Sequence, residues 1–214
     1  MTVDRWNKPA LVIVDLQNDF VRQGAAMEVP EARATIPQNK RLIAFFRQAG
    51  FPIIYTRFIA GPFRTLVYEW SPQLESPLLA CQRGHFRYYP DVDKTLDCTD
   101  VVDELYPQPG DYIVDKYGYG AFHRTNLDDI LQSLGVESLV VTGTVTQICV
   151  EETSRGAFHH GYKTTTVSDA VSSYLPDLHA ATLKNLSFKF GWVNTAQEVL
   201  EELYARYGIP IPQI

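Results

Sequence analysis

The stretch from residue 139 to residue 155 constrains the fold more than any other part of the chain. Residues 139–141 form an apolar run rich in valine, which is typical of a strand buried in a parallel sheet. Gly143 breaks the run, and small and hydroxylated residues follow it. Apolar residues then recur at helical spacing from Cys149 onward, with Glu151 and Glu152 in the expected first turn. The pattern predicts a strand, a tight turn and a helix that begins at Cys149.

Cys149 would lie at the start of this helix, where backbone N–H groups point outward without partners. The positive end of a helix stabilises a thiolate, so the position favours an ionised, nucleophilic cysteine. The alternative is a buried cysteine that packs as a small apolar side chain. This stretch alone leaves both interpretations open.

Strand-like and helix-like segments alternate along the chain. We expect strands at 10–14, 51–56, 111–115, 136–141, 163–167 and 191–193, and helices at 36–50, 125–134, 149–161, 176–186 and 195–207. Such alternation predicts a parallel sheet with helices on both faces. The fold class is therefore α/β, a three-layer α/β/α sandwich with a mostly parallel, about six-stranded, Rossmann-like sheet, and we expect one domain over 1–214.

The segment 57–109 does not follow this alternation. It is rich in aromatic residues and proline and has weak periodicity, apart from a short helix expected at 101–105. A segment of this length without clear elements is usually functional or contains short elements of its own.

Composition narrows the class of protein. The formal net charge of −6 and the sequence pI of about 5.3 argue against a general nucleic-acid surface. No run of about 18 apolar residues is present, so we expect no membrane-spanning helix. The three cysteines are odd in number and widely spaced, and the N-terminus lacks the apolar core of a signal peptide. We expect a cytoplasmic protein that acts on a small molecule.

Three chemically active side chains follow three of the expected strands. Asp15 ends the first strand, Lys116 lies just beyond the third, and Cys149 follows the fourth. The carboxyl ends of parallel strands meet at one edge of a sheet, which is where open α/β folds bind ligands. A thiol nucleophile, a carboxylate that accepts its proton and a cation that stabilises negative charge fit one chemistry. No glycine-rich phosphate-binding pattern competes with this interpretation.

Several motifs together carry a family resemblance. They lie at residues 10–20, at 115–125 and at 143–150, with Asp169 and Ala170 after the fifth expected strand. In this order and spacing the chain resembles the isochorismatase-like cysteine hydrolases from about Pro9 to about Ala170. That family includes nicotinamidases, N-carbamoylsarcosine amidohydrolase and the ureidoacrylate and biuret amidohydrolases.

The resemblance implies roles for individual residues. Cys149 would be the nucleophile, Asp15 the general base and Lys116 the cation that orients and stabilises both. A cis peptide bond is implied between Thr144 and Val145, which would turn the Val145 N–H toward the substrate. With the Cys149 N–H it would form an oxyanion hole. The implied reaction cleaves a C–N bond of a small amide, ureido or carbamoyl compound through a thioester and releases ammonia or an amine.

Departures from the family pattern bear on metals and cofactors. Nicotinamidases carry a metal site of Asp and His residues in the loop after the second strand, and residues 57–70 contain neither residue type. We therefore expect no metal and no cofactor. His85, His123, His159 and His160 are expected to have no chemical role.

Aromatic residues and arginines supply candidates for the substrate pocket: Gln17, Phe20, Arg57, Arg64, Tyr68, Trp70, Tyr117, Tyr119 and Phe122. An aromatic slot with one or two arginines would suit a small planar amide that bears a carboxylate. Alternatively, these aromatic residues pack the long segment onto the body of the protein or onto a neighbouring subunit. The resemblance implies a homodimer or homotetramer.

Two other functions remain open from the sequence. One is an isochorismatase-like hydrolase that cleaves a vinyl ether, although relatives with that chemistry lack the cysteine. The other is a non-catalytic binding or redox protein that uses Cys149 as a sensor, for which Cys81 or Cys98 would have to serve as the resolving thiol.

Overall fold

A six-stranded, fully parallel sheet forms the centre of the molecule in the computed structural model, which describes residues 4–213. In chain order the strands of the described residues are β1 Pro9–Val14, β2 Ile53–Phe58, β3 Phe86–Tyr89, β4 Lys94–Asp97, β5 Tyr112–Lys116, β6 Ser138–Thr144, β7 Lys163–Ser172 and β8 Trp192–Asn194. The order across the large sheet is β5-β2-β1-β6-β7-β8, and β3 and β4 form a separate antiparallel hairpin. The predicted α/β fold class is confirmed.

The helices are α1 Asn18–Val21, α2 Ala32–Ala49, α3 Val67–Trp70, α4 Leu127–Ser133, α5 Glu151–His159, α6 Pro176–Lys189 and α7 Ala196–Tyr207. Short 3₁₀ turns occupy Pro72–Leu74 and Asp103–Leu105, and a π-helical turn occupies Thr146–Val150. The predicted helix at 195–207 is confirmed as α7. Its start is stabilised by a capping box between the Thr195 side chain and Glu198.

Alternate residues of β1 point into two different cores. Leu11 and Ile13 join one cluster that includes residues of α2 and α7, such as Phe46 and Leu200. Ala10, Val12 and Val14 join the other cluster, which includes residues of α4 and α5. All six residues of β1 are buried, as expected for a central parallel strand covered on both faces. The layers therefore fix the orientation of β1, and with it the position of the residue that follows it.

Three boundaries differ from the sequence prediction in ways that affect the site. Lys116 is the last residue of β5 rather than a residue beyond it. Cys149 lies in the π-helical turn, and α5 begins only at Glu151. Strand β7 continues past residue 167 to Ser172 because it pairs with the end of β6, so Asp169 lies inside a strand, where its carboxylate accepts the Ala196 N–H at 2.7 Å.

The segment 57–109 contains the β3–β4 hairpin, α3 and the turn at Pro72–Leu74, which the sequence pattern did not reveal, while the short helix expected at 101–105 is the 3₁₀ turn Asp103–Leu105. A buried carboxylate ties this segment to the body: Asp19 of α1 accepts hydrogen bonds from Arg87 at 3.0 Å and Tyr89 at 2.9 Å, both on β3, and from the Cys81 N–H at 2.9 Å. The partners of Asp19 are more than 60 positions away in the chain, so no local periodicity could indicate them.

Gly143 lies where β1 and β6 approach most closely. A Cβ atom at this residue would lie 1.9 Å from the Val14 carbonyl oxygen, and the backbone φ is +113°. The strand does not stop at Gly143, as the sequence had suggested, but continues to Thr144. Glycine is required here because no side chain fits between the two strands.

We predict that Gly143→Ala destabilises the protein far more than Gly161→Ala, a matched control with φ +88° and no atom within 4 Å of its Cβ position. The control should cost about 1–3 kcal/mol for backbone conformation alone. Gly143→Ala should cost at least about 2 kcal/mol more, because the methyl group overlaps a fixed backbone oxygen. Urea unfolding measures both. Equal destabilisation by the two substitutions would contradict the steric argument.

Candidate active site

The carboxyl ends of three strands bring the candidate catalytic residues together. Asp15 directly follows β1, Lys116 ends β5, and Cys149 follows β6 through the π-helical turn. Strand β2 lies between β1 and β5, and its Thr56 pairs with the last residue of β1. The order of strands reverses direction between β1 and β6, which is where sheets of this kind form ligand crevices. The topology therefore places all three groups at one edge of the sheet.

Asp15 and Lys116 form a buried ion pair. Both side chains have no exposed surface, and the Lys116 Nζ lies 2.7 Å from Asp15 Oδ2. The Thr56 hydroxyl donates to Asp15 Oδ1 at 2.7 Å, and Nζ donates to the Gly118 carbonyl at 3.0 Å. Within the described residues, Oδ2 accepts no well-aligned hydrogen bond, although Nζ is close. This oxygen therefore retains a lone pair that can receive a proton.

The pKa of Lys116 reflects a balance between burial and charge. Burial lowers it, but the carboxylate of Asp15 and the neighbouring Cys149 raise it more, so that the net pKa lies above the ordinary value of 10.5. The raised pKa favours the charged form of Lys116, which lies below the floor of the site.

The Cys149 thiol has a raised pKa, which favours its protonated form. Burial raises its pKa to about 12; the charge of Lys116 acts in the opposite direction, and the charge of Asp15 raises the pKa further. The expectation that a helix end would favour the thiolate is wrong, because Cys149 is buried in the π-helical turn beside a carboxylate. Both Asp15 and Lys116 are close enough to the thiol to act on its pKa.

Polar contacts fix the turn that carries Cys149. The peptide bond between Thr144 and Val145 is cis. The Thr144 hydroxyl donates to the Ser172 carbonyl at 3.3 Å, and the Thr146 hydroxyl lies 2.9 Å from His179 Nδ1 on α6. Thr56, Ser172 and His179 were not identified from the sequence. Their partners are distant in the chain, and single Thr, Ser and His residues carry no sequence signal.

A pocket of about 470 Å³ opens above Cys149. Its walls are mostly aromatic and aliphatic, with a few polar residues; the lining residues are Phe20, Ala26, Met27, Glu28, Phe58, Trp70, Ser71, Gln73, Tyr119, Val145, Ile148, Cys149 and Tyr174. A volume of this size holds a small molecule. Cys149 is thus accessible from a cavity although only 4% of its surface is exposed.

Phe20, Trp70 and Tyr119 are the predicted substrate-binding residues that the structure places around this pocket. Gln17 does not line it, because its amide is fully buried and bonded to the Phe58 backbone and the Thr99 carbonyl. That side chain holds two loops together instead.

Arg57 and Phe122 also lie away from the pocket. The Arg57 guanidinium forms two hydrogen bonds to Asp115 and one to Asp100. The Phe122 ring stacks on His160 with centroids 4.8 Å apart, in the core between α4 and α5. Tyr68 and Tyr117 are not lining residues either, and Arg64 is an exposed partner of Glu69 and Glu75.

Within residues 4–213, no group of three or more His, Cys, Asp or Glu side chains is arranged to hold a metal ion. None of the helices there is long and apolar enough to cross a membrane.

The sequence model of the isochorismatase domain family matches residues 9–198 of the chain. The chain belongs to the isochorismatase family. The curated ureidoacrylate amidohydrolase RutB from Rhizobium rhizogenes (strain K84) is 32% identical over 90% of this chain and 82% of its own. A crystal structure of a cysteine hydrolase from Pseudomonas syringae pv. phaseolicola 1448A has a TM-score of 0.83 at 27% identity and covers 94% of each chain. N-carbamoylsarcosine amidase from Thermoplasma acidophilum has a TM-score of 0.72 at 28% identity, over 88% of this chain and 96% of its own.

These similarities agree with the resemblance found in the sequence. The predicted family is confirmed, and so is the predicted enzyme class, a hydrolase that acts on non-peptide C–N bonds.

We predict that the alkylation rate of Cys149 by a small uncharged reagent keeps rising with pH beyond 9, because a raised pKa keeps the thiol protonated until its folded-state value is approached. Mass spectrometry of the Cys149 peptide, with Cys149→Ala as the control, measures the rate. A plateau near or below the free-thiol pKa of about 8.5 would show instead that the site stabilises the thiolate.

Proposed function

We propose that the protein is a cysteine-dependent amidohydrolase that cleaves the C–N bond of a small amide, ureido or carbamoyl compound through a thioester on Cys149. The observation that carries this proposal is the position of the Cys149 thiol, at the floor of a pocket and within reach of the buried Asp15–Lys116 pair. A nucleophile, a base and a cation in contact form a complete set for acyl transfer.

In the proposed first half-reaction, Asp15 Oδ2 takes the thiol proton while the sulfur attacks the carbonyl carbon. The C–S bond forms, the carbonyl π electrons move to oxygen, and Lys116 stabilises the negative charge that appears beside it. When the tetrahedral intermediate collapses, the C–N bond breaks and Asp15 returns the proton to the departing ammonia or amine. Because the resting thiol is neutral, proton transfer and attack are coupled.

In the second half-reaction, Asp15 removes a proton from water, which attacks the thioester, and the sulfur leaves and regains that proton. The Val145 and Cys149 N–H groups are the proposed donors to the oxyanion in both halves. Both residues line the pocket. Loss of such a donor typically costs about 10²–10³ in rate.

Two further expectations remain part of the proposal. A homodimer or homotetramer would cover the exposed side chains of Phe63, Leu66 and Trp70, of which Trp70 lines the pocket. Exposed apolar side chains of this kind often mark interfaces. A cytoplasmic location would suit the three free cysteines.

The decisive experiment is ammonia release from a panel of small amides, ureas and carbamoyl compounds, with and without a chelator. We expect release that is insensitive to the chelator and absent in Cys149→Ala. Cys98→Ala is the matched control, because this buried cysteine lies outside the pocket lining and should be dispensable. An acyl adduct on the Cys149 peptide after a rapid quench would support the thioester. Full activity in Cys149→Ala would refute the proposal.

We predict that Thr56→Val lowers kcat/KM about tenfold or more, because it removes a hydrogen bond to the charged Asp15 carboxylate. Thr56→Ser is the control: it keeps the hydroxyl and should retain most of the activity. Steady-state kinetics on the best substrate of the panel decides the matter, and equal losses in both variants would mean that packing rather than the hydrogen bond is responsible.

A further inference from the structure

The pocket above Cys149 offers no free cation to a substrate. Among its lining residues that the structure describes, none is Arg, Lys or His, and the charged one is Glu28. Lys116 lies beneath the floor with no exposed surface and is already paired with Asp15 at 2.7 Å. A carboxylate on the substrate would therefore lose its hydration without gaining a charge partner.

Arginines in the segments that surround the pocket do not line it and are committed to protein carboxylates. Arg57 pairs with Asp115 at 2.8 Å, and Arg87 pairs with Asp19 at 3.0 Å. Arg22 is bound by Glu104 at 2.6 Å. To reach a substrate, each guanidinium would have to abandon a bond to a charged group, which is worth more than an ordinary hydrogen bond.

Glu28 is itself compensated. One of its oxygens lies 2.8 Å from the Arg33 guanidinium, and the other accepts the Gly24 N–H at 2.8 Å. It therefore has little capacity left to bind a substrate cation, yet it places negative charge in the pocket wall, where it opposes an anion. The remaining wall is apolar surface with tyrosine hydroxyls, a serine and a glutamine.

We propose that the pocket selects uncharged substrates: small amides or ureas whose body is aliphatic or aromatic and which lack a carboxylate. This inference rests on the proposed function for the chemistry, but the selection is a property of the pocket walls. It departs from the carboxylate-bearing amide that the arginines in the sequence had suggested. The discrimination expected from an unpaired carboxylate is about ten- to a hundredfold.

The test uses substrates of matched shape. N-Propylurea, N-carbamoyl-β-alanine and N-(2-aminoethyl)urea differ mainly in a terminal methyl, carboxylate or ammonium group, and pentanamide and glutaramate form a second pair. We expect kcat/KM for ammonia release to be at least about tenfold higher for the uncharged member of each set. A charged member that is turned over equally well or better, in a reaction that depends on Cys149, would overturn the inference but leave the proposed function standing.

Binding to Cys149→Ala separates the inference from catalysis. Tryptophan fluorescence should report the ligand, since Trp70 lies at the pocket mouth. At least about tenfold tighter binding of N-propylurea than of N-carbamoyl-β-alanine supports the inference even if neither is turned over. Equal binding, a reversed order, or no binding of the uncharged ligands overturns it.

A designed cation provides the converse test. Gln73 lines the pocket from the Pro72–Leu74 turn and is only partly buried, so a longer side chain can be accommodated there. Gln73→Arg should raise kcat/KM for the anionic compounds at least about tenfold relative to the uncharged ones, because it supplies the missing partner. Gln73→Met, of similar length but uncharged, is the control. An unchanged ratio in Gln73→Arg would contradict the electrostatic basis of the selection.

Discussion

The buried ion pair between Asp15 and Lys116 imposes a requirement that the rest of the fold meets. Two charges without exposed surface are costly to remove from water unless they lie in contact and keep further polar partners. Three neighbouring strands meet this requirement. Asp15 follows β1 and accepts a hydrogen bond from Thr56 in β2, while Lys116 at the end of β5 also donates to the Gly118 carbonyl. Parallel strands in fixed register are the means by which residues a hundred positions apart reach contact distances of 2.7 Å.

The same buried setting raises the pKa of the Cys149 thiol, and the Asp15 carboxylate adds to this effect while Lys116 opposes it. A third full charge beside Asp15 would have to be stabilised without water, and Lys116 is already engaged with the carboxylate. The Asp15–Lys116 ion pair and a thiol with a raised pKa thus lie beneath a mostly apolar pocket. In the proposed reaction an uncharged carbonyl compound suits this setting, because its negative charge would appear only in the transition state.

Sequence patterns predicted those features that depend on neighbouring residues. Buried β-branched runs identified the six strands of the large sheet, and their ends identified Asp15 and Cys149 as neighbours of one edge. The patterns failed where long-range contacts decide the structure. The β3–β4 hairpin is held by Asp19, β7 is extended by pairing with β6, and the environment of Cys149 depends on burial and a distant carboxylate. None of these contacts leaves a periodic trace in the chain.

The arginines near the site show most clearly what the sequence patterns could not predict. Sequence can indicate that Arg57 is near the site but not whether its guanidinium is free, and that second property decides what it can bind. The chain has 25 acidic and 19 basic residues, so carboxylates outnumber cations and an arginine meets an internal partner readily. Arg57 forms ion pairs with Asp115 and Asp100, so its guanidinium connects parts of the protein and is not free to bind a substrate. The proposed specificity of the pocket therefore depends on which arginines are already paired with carboxylates of the protein. Those pairs exist only in the folded chain.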